Sequence, residues 1–466
     1  MTAIDDWIEE EARFAAGAML RAVSATRITK ERPGFGQRIV PRPGSVAASP
    51  VLAAYDPDPD YFFHWFRDSA IVIDALRVAV AEGVVAATSI ERLCEFVDFN
   101  RALHELDGRE CLRERFFHEK VQPAFRQYVR PDDEIAAVFG DRVLAEARVN
   151  PDGTLDFTRW ARPQNDGPAL QVLALARWRD APPDLDQHLR AAMLELAIGG
   201  LDFIRRRSAQ RSFDIWEEES GYHYYTQLVQ AEALTRGAEW LDEAGGAERA
   251  RACRSLAGAL APSLDAYWSG VDECYRSRIG VIDGGAPGKA LDMAVILGVL
   301  HAGRKAATHS VLDPKVQATL VALEELFDAE YPVNRDRPPD HGPAMGRYAT
   351  DAYYGGNPWY LTTLAAAEFY FKLASGLASG VRMPATGDNA RFRARLSGES
   401  PANAAFERGE MFMRTVRMYT PPSGNLSEQF DRKTGALTSA RDLAWSYAAF
   451  ITAAASRHQA SLAIRG

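Results

Sequence analysis

Three consecutive carboxylates stand directly behind an indole in the stretch Phe213-Asp214-Ile215-Trp216-Glu217-Glu218-Glu219-Ser220-Gly221. Adjacent acids repel one another and a tryptophan excludes water. Both effects raise a carboxyl pKa, so that one group stays protonated near neutrality and can act as a general acid. The same string also reads as a solvated acidic turn at a helix start, where glutamates complement the macrodipole. Far downstream, in Gly424-Asn425-Leu426-Ser427-Glu428-Gln429-Phe430-Asp431, Glu428 stands among small and polar residues that predict a turn, with a buried apolar helix to follow. Cleaving an acetal takes two carboxyl groups, one to protonate the leaving oxygen and one to activate water or attack the sugar. Glu217 and Glu428 are candidates for that pair, although either by itself reads as an ordinary surface glutamate.

Five of the nine tryptophans, Trp65, Trp160, Trp216, Trp359 and Trp445, sit at or beside predicted helix entrances, where polar residues are the rule. A flat indole covers the C–H face of a pyranose; the alternative is that these rings pack the core. Trp7, Trp178, Trp240 and Trp268 are assigned to packing. Arg67-Asp68 and Arg347 suit the vicinal hydroxyls of a sugar, because a guanidinium beside a carboxylate donates and accepts in fixed directions. Asp68 also stands where it would cap a helix starting at Ser69, and the two roles are compatible.

The elements that must position these residues are helices. Helical periodicity predicts helices over Asp68–Val80, Asp166–Trp178, Asp186–Arg206, Tyr225–Leu241, Lys289–Leu300, Val316–Phe327, Trp359–Leu373 and Arg441–Ala455, and strict strand alternation is scarce. Six junctions rich in aromatic, acidic, Arg, Gly, Pro and Asn residues lead into helices that are apolar nearly all round, which implies burial. Each leaves room for a returning helix, so the pattern predicts an all-α toroid with an inner ring wrapped by an outer ring and the six entrance loops gathered at one end. Two stretches interrupt it: residues 41–59, read as an irregular loop or lid, and residues 113–158, read as an insertion with a short helix. No strong linker is present, and residues 1–466 read as a single domain.

Composition narrows the function classes. The chain of 466 residues is 47% hydrophobic and 25% charged with net charge −9, and it has no basic block to attract nucleic acid. The cysteines Cys94, Cys111, Cys253 and Cys274 lack metal spacing and read as reduced core thiols. No secretory signal or membrane-length apolar run occurs, so cytoplasm is the expected compartment. Gly288-Lys289 lacks the first glycine and the Ser or Thr of a phosphate loop, and Gly34-Phe35-Gly36 lacks the third glycine of a dinucleotide motif. There is no HExxH and no GxSxG. No cofactor or metal is expected.

The junctions, in order, resemble those of the glucoamylase family of glycoside hydrolases, which also holds glucodextranases. The matching segments are Pro59–Ser69 (PDYFFHWFRDS), Trp160–Ala169 (WARPQNDGPA), Asp214–Glu218 (DIWEE), Gly346–Trp359 with its Arg347-Tyr348 and Gly355-Gly356-Asn357-Pro358, and Leu426–Tyr447 with Glu428. The resemblance implies an (α/α)6 barrel and an inverting exo-hydrolase that releases β-glucose from the non-reducing ends of α-glucans. It implies Glu217 as general acid and Glu428 as the base that activates water, the latter staying ionised. Arg67, Asp68 and Arg347 would hold the terminal glucose, Glu218 the next sugar, and Trp65, Trp160, Trp216, Trp359 and Trp445 the aromatic lining. Ala349-Thr350 replaces a Pro-Glu pair common in the family, and the region around Asp292-Met293-Ala294 lacks an expected Asn, which leaves linkage preference open. Trehalose and α-1,6 glucans such as isomaltooligosaccharides or dextran remain alternative substrates, and a silent sugar-binding protein is the alternative from another class.

Overall fold

The computed structural model describes residues 3–55, 57–113, 119–181, 185–305, 308–398 and 400–466. Twelve long helices carry the architecture: α1 (Ala3–Ala22), α2 (Phe66–Ala81), α3 (Glu91–Leu103), α4 (Gly167–Asp180), α5 (Gln187–Arg207), α6 (Tyr224–Glu243), α7 (Ala247–Asp265), α8 (Ala294–Ala302), α9 (Pro314–Glu330), α10 (Tyr360–Ala378), α11 (Pro401–Tyr419) and α12 (Ala444–Arg465). The even-numbered helices pack in sequence, and α12 returns to α2, which closes an inner ring of six. The odd-numbered helices lie outside it, for example α7 on α6 and α11 on α10. This is the (α/α)6 barrel.

The difference between the rings is written in side-chain composition. Helix α4 buries every residue from Gly167 to Ala176, whereas outer helix α7 buries only Ala250, Cys253, Leu260 and Leu264. An inner helix is covered by neighbours on both flanks and by an outer helix behind, so apolar residues all round it are stabilised. Apolar side chains of both rings join one continuous core.

The two rings also begin differently. Outer helices α5, α9 and α11 carry capping side chains: Asp186 accepts from Leu189 N–H, Asp313 from Lys315 N–H and Ser400 from Asn403 N–H. None of the six inner helices has a side-chain cap at its N-cap residue. Their entrance N–H groups instead donate to carbonyls of neighbouring loops: Phe66 to Ala147, Tyr224 to Ser277, Trp359 to Met345 and Ala444 to Ala48, at 3.2, 2.9, 2.8 and 2.8 Å. Backbone satisfies backbone at these helix starts, and the junction side chains are left for other work.

Several sequence expectations are corrected here. Helix α8 begins at Ala294 rather than Lys289, because Lys289 is drawn into buried ion pairs in the preceding loop. Helix α12 begins at Ala444; Arg441 ends a strand, Leu437–Arg441, paired antiparallel with Ser427–Phe430, so Glu428 lies on a strand rather than a turn. Asp68 is inside the first turn of α2, which starts at Phe66, and caps nothing. Other short ribbons brace the entrances, His64–Trp65 with Arg148–Val149 and Ser212–Phe213 with Ser220–His223. The 41–59 loop is irregular, and the 113–158 insertion holds the short helix Asp132–Ala136 besides the Arg148–Val149 strand; residue 56 of the first and residues 114–118 of the second lie outside the described residues. Trp178 is fully buried with its indole N–H on Ile73 O, and Trp7, Trp240 and Trp268 pack as expected.

Gly356 closes the loop before α10 with φ 64°, and a Cβ there would lie 1.8 Å from the carbonyl oxygen of Asp351. Gly83 has φ 69° with open space around it. Gly83→Ala therefore costs only backbone strain, about 1 kcal/mol, whereas Gly356→Ala costs about 3 kcal/mol or more because the loop must also move. Denaturation midpoints check this; equal losses would show that the close approach carries no energy.

Candidate active site

A cavity of about 240 Å³ opens at the end of the barrel where the inner helices begin. Its walls bring together all eleven residues picked out from sequence: Glu217 and Glu428, Arg67, Asp68, Glu218 and Arg347, and the five indoles of Trp65, Trp160, Trp216, Trp359 and Trp445. Tyr61, Tyr353, Ile215 and Leu443 complete the lining. Arg67, Asp68, Glu428 and Trp445 are buried, whereas Trp160 is 41% exposed, so the cavity runs from an exposed rim to buried residues.

Glu217 is positioned by a turn that its neighbours hold. Asp214 Oδ1 accepts the backbone N–H groups of Glu218 and Glu219, both at 2.8 Å, and its other oxygen pairs with Lys289 Nζ at 2.7 Å. Burial alone would raise the Asp214 carboxyl; Lys289 reverses this and holds it at about 2. The turn places Glu217 at φ 64°, in the left-handed region that a branched or bulky side chain pays to occupy. Its Oε1 accepts from Trp65 Nε1 at 2.7 Å and Arg67 Nη2 at 3.1 Å, and its Oε2 accepts from Trp160 Nε1.

The expected contacts of the acidic stretch are corrected by this geometry. Trp216 Nε1 donates to both oxygens of buried Asp292 at 3.0 Å, and its ring packs on Trp359. The three glutamates do not press on one another. Glu217 turns to Arg67, Glu218 to Lys289, Arg347 and Tyr348, and Glu219 to Arg278.

Glu428 arrives from the opposite side on its strand. Its Oε2 accepts from Ser439 Oγ, and Tyr61 is a further hydrogen-bond partner. The Tyr61 hydroxyl lies 2.6 Å from that of Tyr353. Burial pushes the Glu428 carboxyl up to about 7, against Ser439, Arg347 and Tyr61, which favour the charged form. Glu428 therefore titrates near neutrality in the free protein, contrary to the expectation that it stays fully ionised.

The cavity lining also holds polar groups with unused hydrogen-bonding capacity, although Arg67 is ion-paired to Asp68 and Asp166 at 3.2 and 3.6 Å. Arg67 Nε and Nη1, Asp68 Oδ2 and Trp359 Nε1 are buried and make no hydrogen bond within the chain, which is unusual for buried polar atoms and fits a site made for a ligand rich in hydroxyls. Burial lifts Asp68 to about 6 although Arg67 pulls it down. Arg347 is fixed by Asp351, with Nε at 2.7 Å from Oδ2, and lies 5.1 to 5.4 Å from the ring centres of Trp216, Tyr348, Tyr353 and Trp359. Tyr61 and Tyr353 lie inside the segments that drew attention in sequence, but a tyrosine among several aromatics carries no separate signal. Lys289 and Asp292 act through contacts with distant residues and have no local signature.

Among the described residues no cluster of His, Cys, Asp and Glu could hold a metal ion, and no helix is long and apolar enough to cross a membrane. The model of the family described as glycosyl hydrolases family 15 matches residues 121–455. A probable glucoamylase of Schizosaccharomyces pombe is 27% identical over 467 residues, covering 97% of this chain and 91% of that protein. Glucoamylase 1 of Rhizopus oryzae is 26% identical, covering 97% and 70%. The family 15 glucoamylase of Hypocrea jecorina superposes with TM-score 0.79 at 26% identity, covering 98% and 72%. The glucoamylase of Saccharomycopsis fibuligera shares the fold, with TM-score 0.78 at 22% identity over 99% and 96%.

Glu428 links the site to stability. A carboxyl raised from 4.5 to about 7 favours the fold fully below pH 4.5, and that contribution is lost as pH rises through about 7. Glu428→Gln removes the titration, so the variant is expected to be more stable than the parent at pH 8, by on the order of 2–3 kcal/mol, with the advantage gone at pH 4. Thermal midpoints at the two pH values decide it; a variant less stable at pH 8 would contradict a raised Glu428.

Proposed function

Because the chain belongs to glycosyl hydrolases family 15, we propose that it is an inverting, exo-acting α-glucoside hydrolase of the glucoamylase kind, releasing β-glucose from the non-reducing ends of maltooligosaccharides. The observation that carries this is the meeting of Glu217 and Glu428, more than 200 residues apart, across one indole-lined cavity with a buried floor. Arg67, Asp68 and Glu428 lie buried behind the exposed rim indole of Trp160, which supports exo action on a chain end. Arg148–Val149 of the 113–158 insertion pairs with His64–Trp65 and so braces the lining residue Trp65 from behind.

Inversion needs two carboxyl groups roughly 6.5–9.5 Å apart, with water between the base and the anomeric carbon. Glu217 is the proton donor in this reading. Its Oε1 already accepts two N–H groups, so Oε2, which has one donor and faces the rim at Trp160, carries the proton to the glycosidic oxygen. Glu428 is the base: it orients water, takes its proton as the C–O bond breaks, and is steered by Ser439 and Tyr61. Arg67 and Asp68, an ion pair with hydrogen-bonding capacity to spare, hold the terminal sugar, Arg347 closes the side, and Glu218 at the wall meets the next unit.

With maltotriose, proton NMR should show β-glucose first; initial α-glucose would overturn the stereochemical reading. Glu217→Gln and Glu428→Gln should each lower kcat by about 10²–10⁴ with the fold intact, and unchanged turnover in either would remove that residue from the pair. Because the base works ionised and Glu428 sits at about 7, kcat/KM should fall as pH drops below neutrality. A flat profile from pH 5 to 8 would assign the base elsewhere.

A further inference from the structure

Arg148 does not line the cavity, yet it touches what holds Glu217. Its guanidinium is 4% exposed and lies 3.6 Å from the ring centre of Trp160, 4.8 Å from that of Trp65 and 3.9 Å from that of Phe63. Trp65 and Trp160 are the two indoles whose Nε1–H groups donate to Glu217, one to each carboxylate oxygen. They meet edge-on with centres 6.2 Å apart. A single cation thus lies against both rings that orient the carboxyl group. A positive charge over an indole face also draws electron density from the ring and sharpens the N–H dipole.

Arg148 is itself held too firmly to be a passing contact. It is the register partner of Trp65 in the antiparallel ribbon. Its Nε donates to Asp156 at 2.9 Å and its Nη2 to Thr158 Oγ1 at 3.3 Å. Asp156 is shared with Arg162, which also pairs with Glu146, and Glu146 takes both terminal nitrogens of Arg130 at 2.9 and 3.1 Å. Alternating buried charges leave Arg148 one rotamer, and the insertion that carries this ladder thereby reaches the site. A lysine could replace the charge but not the rigid fork of donors that holds Asp156 and Thr158 while the cation lies against two rings.

The geometry points to Arg148 as a positioning residue for the proton donor: with its cation against the rings of Trp65 and Trp160, it fixes the two N–H groups that aim the Glu217 carboxyl at the glycosidic oxygen. This inference rests on the reading of Glu217 as general acid. The rival is a purely structural member of the ion ladder, whose loss would loosen the whole pocket.

Two substrates separate these roles. Maltose needs a proton on its leaving oxygen, whereas α-glucosyl fluoride releases fluoride with little help from an acid and still requires the base, the water and the sugar clamp. Glu217→Gln should lose about 10²–10⁴ in kcat on maltose and less than about tenfold on the fluoride. Arg148→Met should lose about 10- to 100-fold in kcat on maltose with KM within about threefold, and less than about threefold on the fluoride. Arg148→Lys keeps the ladder charge and should show the same selective loss, so it decides the question should the methionine variant not fold. Equal losses on both substrates, or no loss on maltose, in the Arg148 variants would overturn the positioning role. Equal losses in Glu217→Gln would instead overturn the acid assignment on which it rests.

Discussion

The open end of the barrel takes more negative charge out of water than the fold could tolerate without fixed cations, and that constraint organises the site. An ionised carboxylate moved into the interior loses several kcal/mol of hydration unless partners replace it. Arg67 is surrounded by Asp68, Asp166 and Glu217; Arg347 by Glu218 and Asp351; Lys289 by Asp214 and Glu218. The cations are as buried as the acids they serve, so neither can leave without stranding the other. Glu428 accepts from hydroxyls and is pushed by burial up to about 7, and Asp292, which accepts from Trp216 Nε1, is raised as far. An unequal distribution of positive charge thus separates an acid held down at about 2, Asp214 beside Lys289, from acids that burial raises.

The same economy appears in the backbone. Six inner helices start at this end with no side-chain cap from the N-cap residue, and at four of them carbonyls of adjacent loops take up an entrance N–H group, while Asp292 Oδ1 accepts the Ala294 N–H of α8. Ordinary caps would have consumed the polar residues of each junction. Stitching loop backbone to helix backbone leaves Arg67, Asp68, Trp359 and Trp445 free to face a sugar, and it makes the loops part of the rigid ring. Glu217 shows the result in miniature: a left-handed residue, held by Asp214 and Lys289, whose side chain points away from the two acids that follow it.

Much of this was legible in the chain itself. Inner helices announce themselves because they are apolar on every side, outer helices because they are not. Entrance loops stand out because aromatic and charged residues cluster where a soluble helix would carry a simple cap. The stretch around Trp216 was misread in one respect: three glutamates in a row suggested mutual repulsion, but a turn sends successive side chains to different partners, and repulsion falls away with distance and pairing. Strands were nearly invisible, since ribbons of two to five residues are too short to show a period.

By itself the sequence determined the barrel, the order of its helices and the set of residues that could meet a sugar, because burial and helical period are local properties of composition and spacing. Which indole serves which carboxylate, that Lys289 locks the acidic turn, that Arg148 lies against two tryptophans, and that burial pushes Glu428 up to about 7 were decided only by the tertiary structure. Those are consequences of distance and dielectric between segments up to several hundred residues apart, and closing the ring is what brings those segments together.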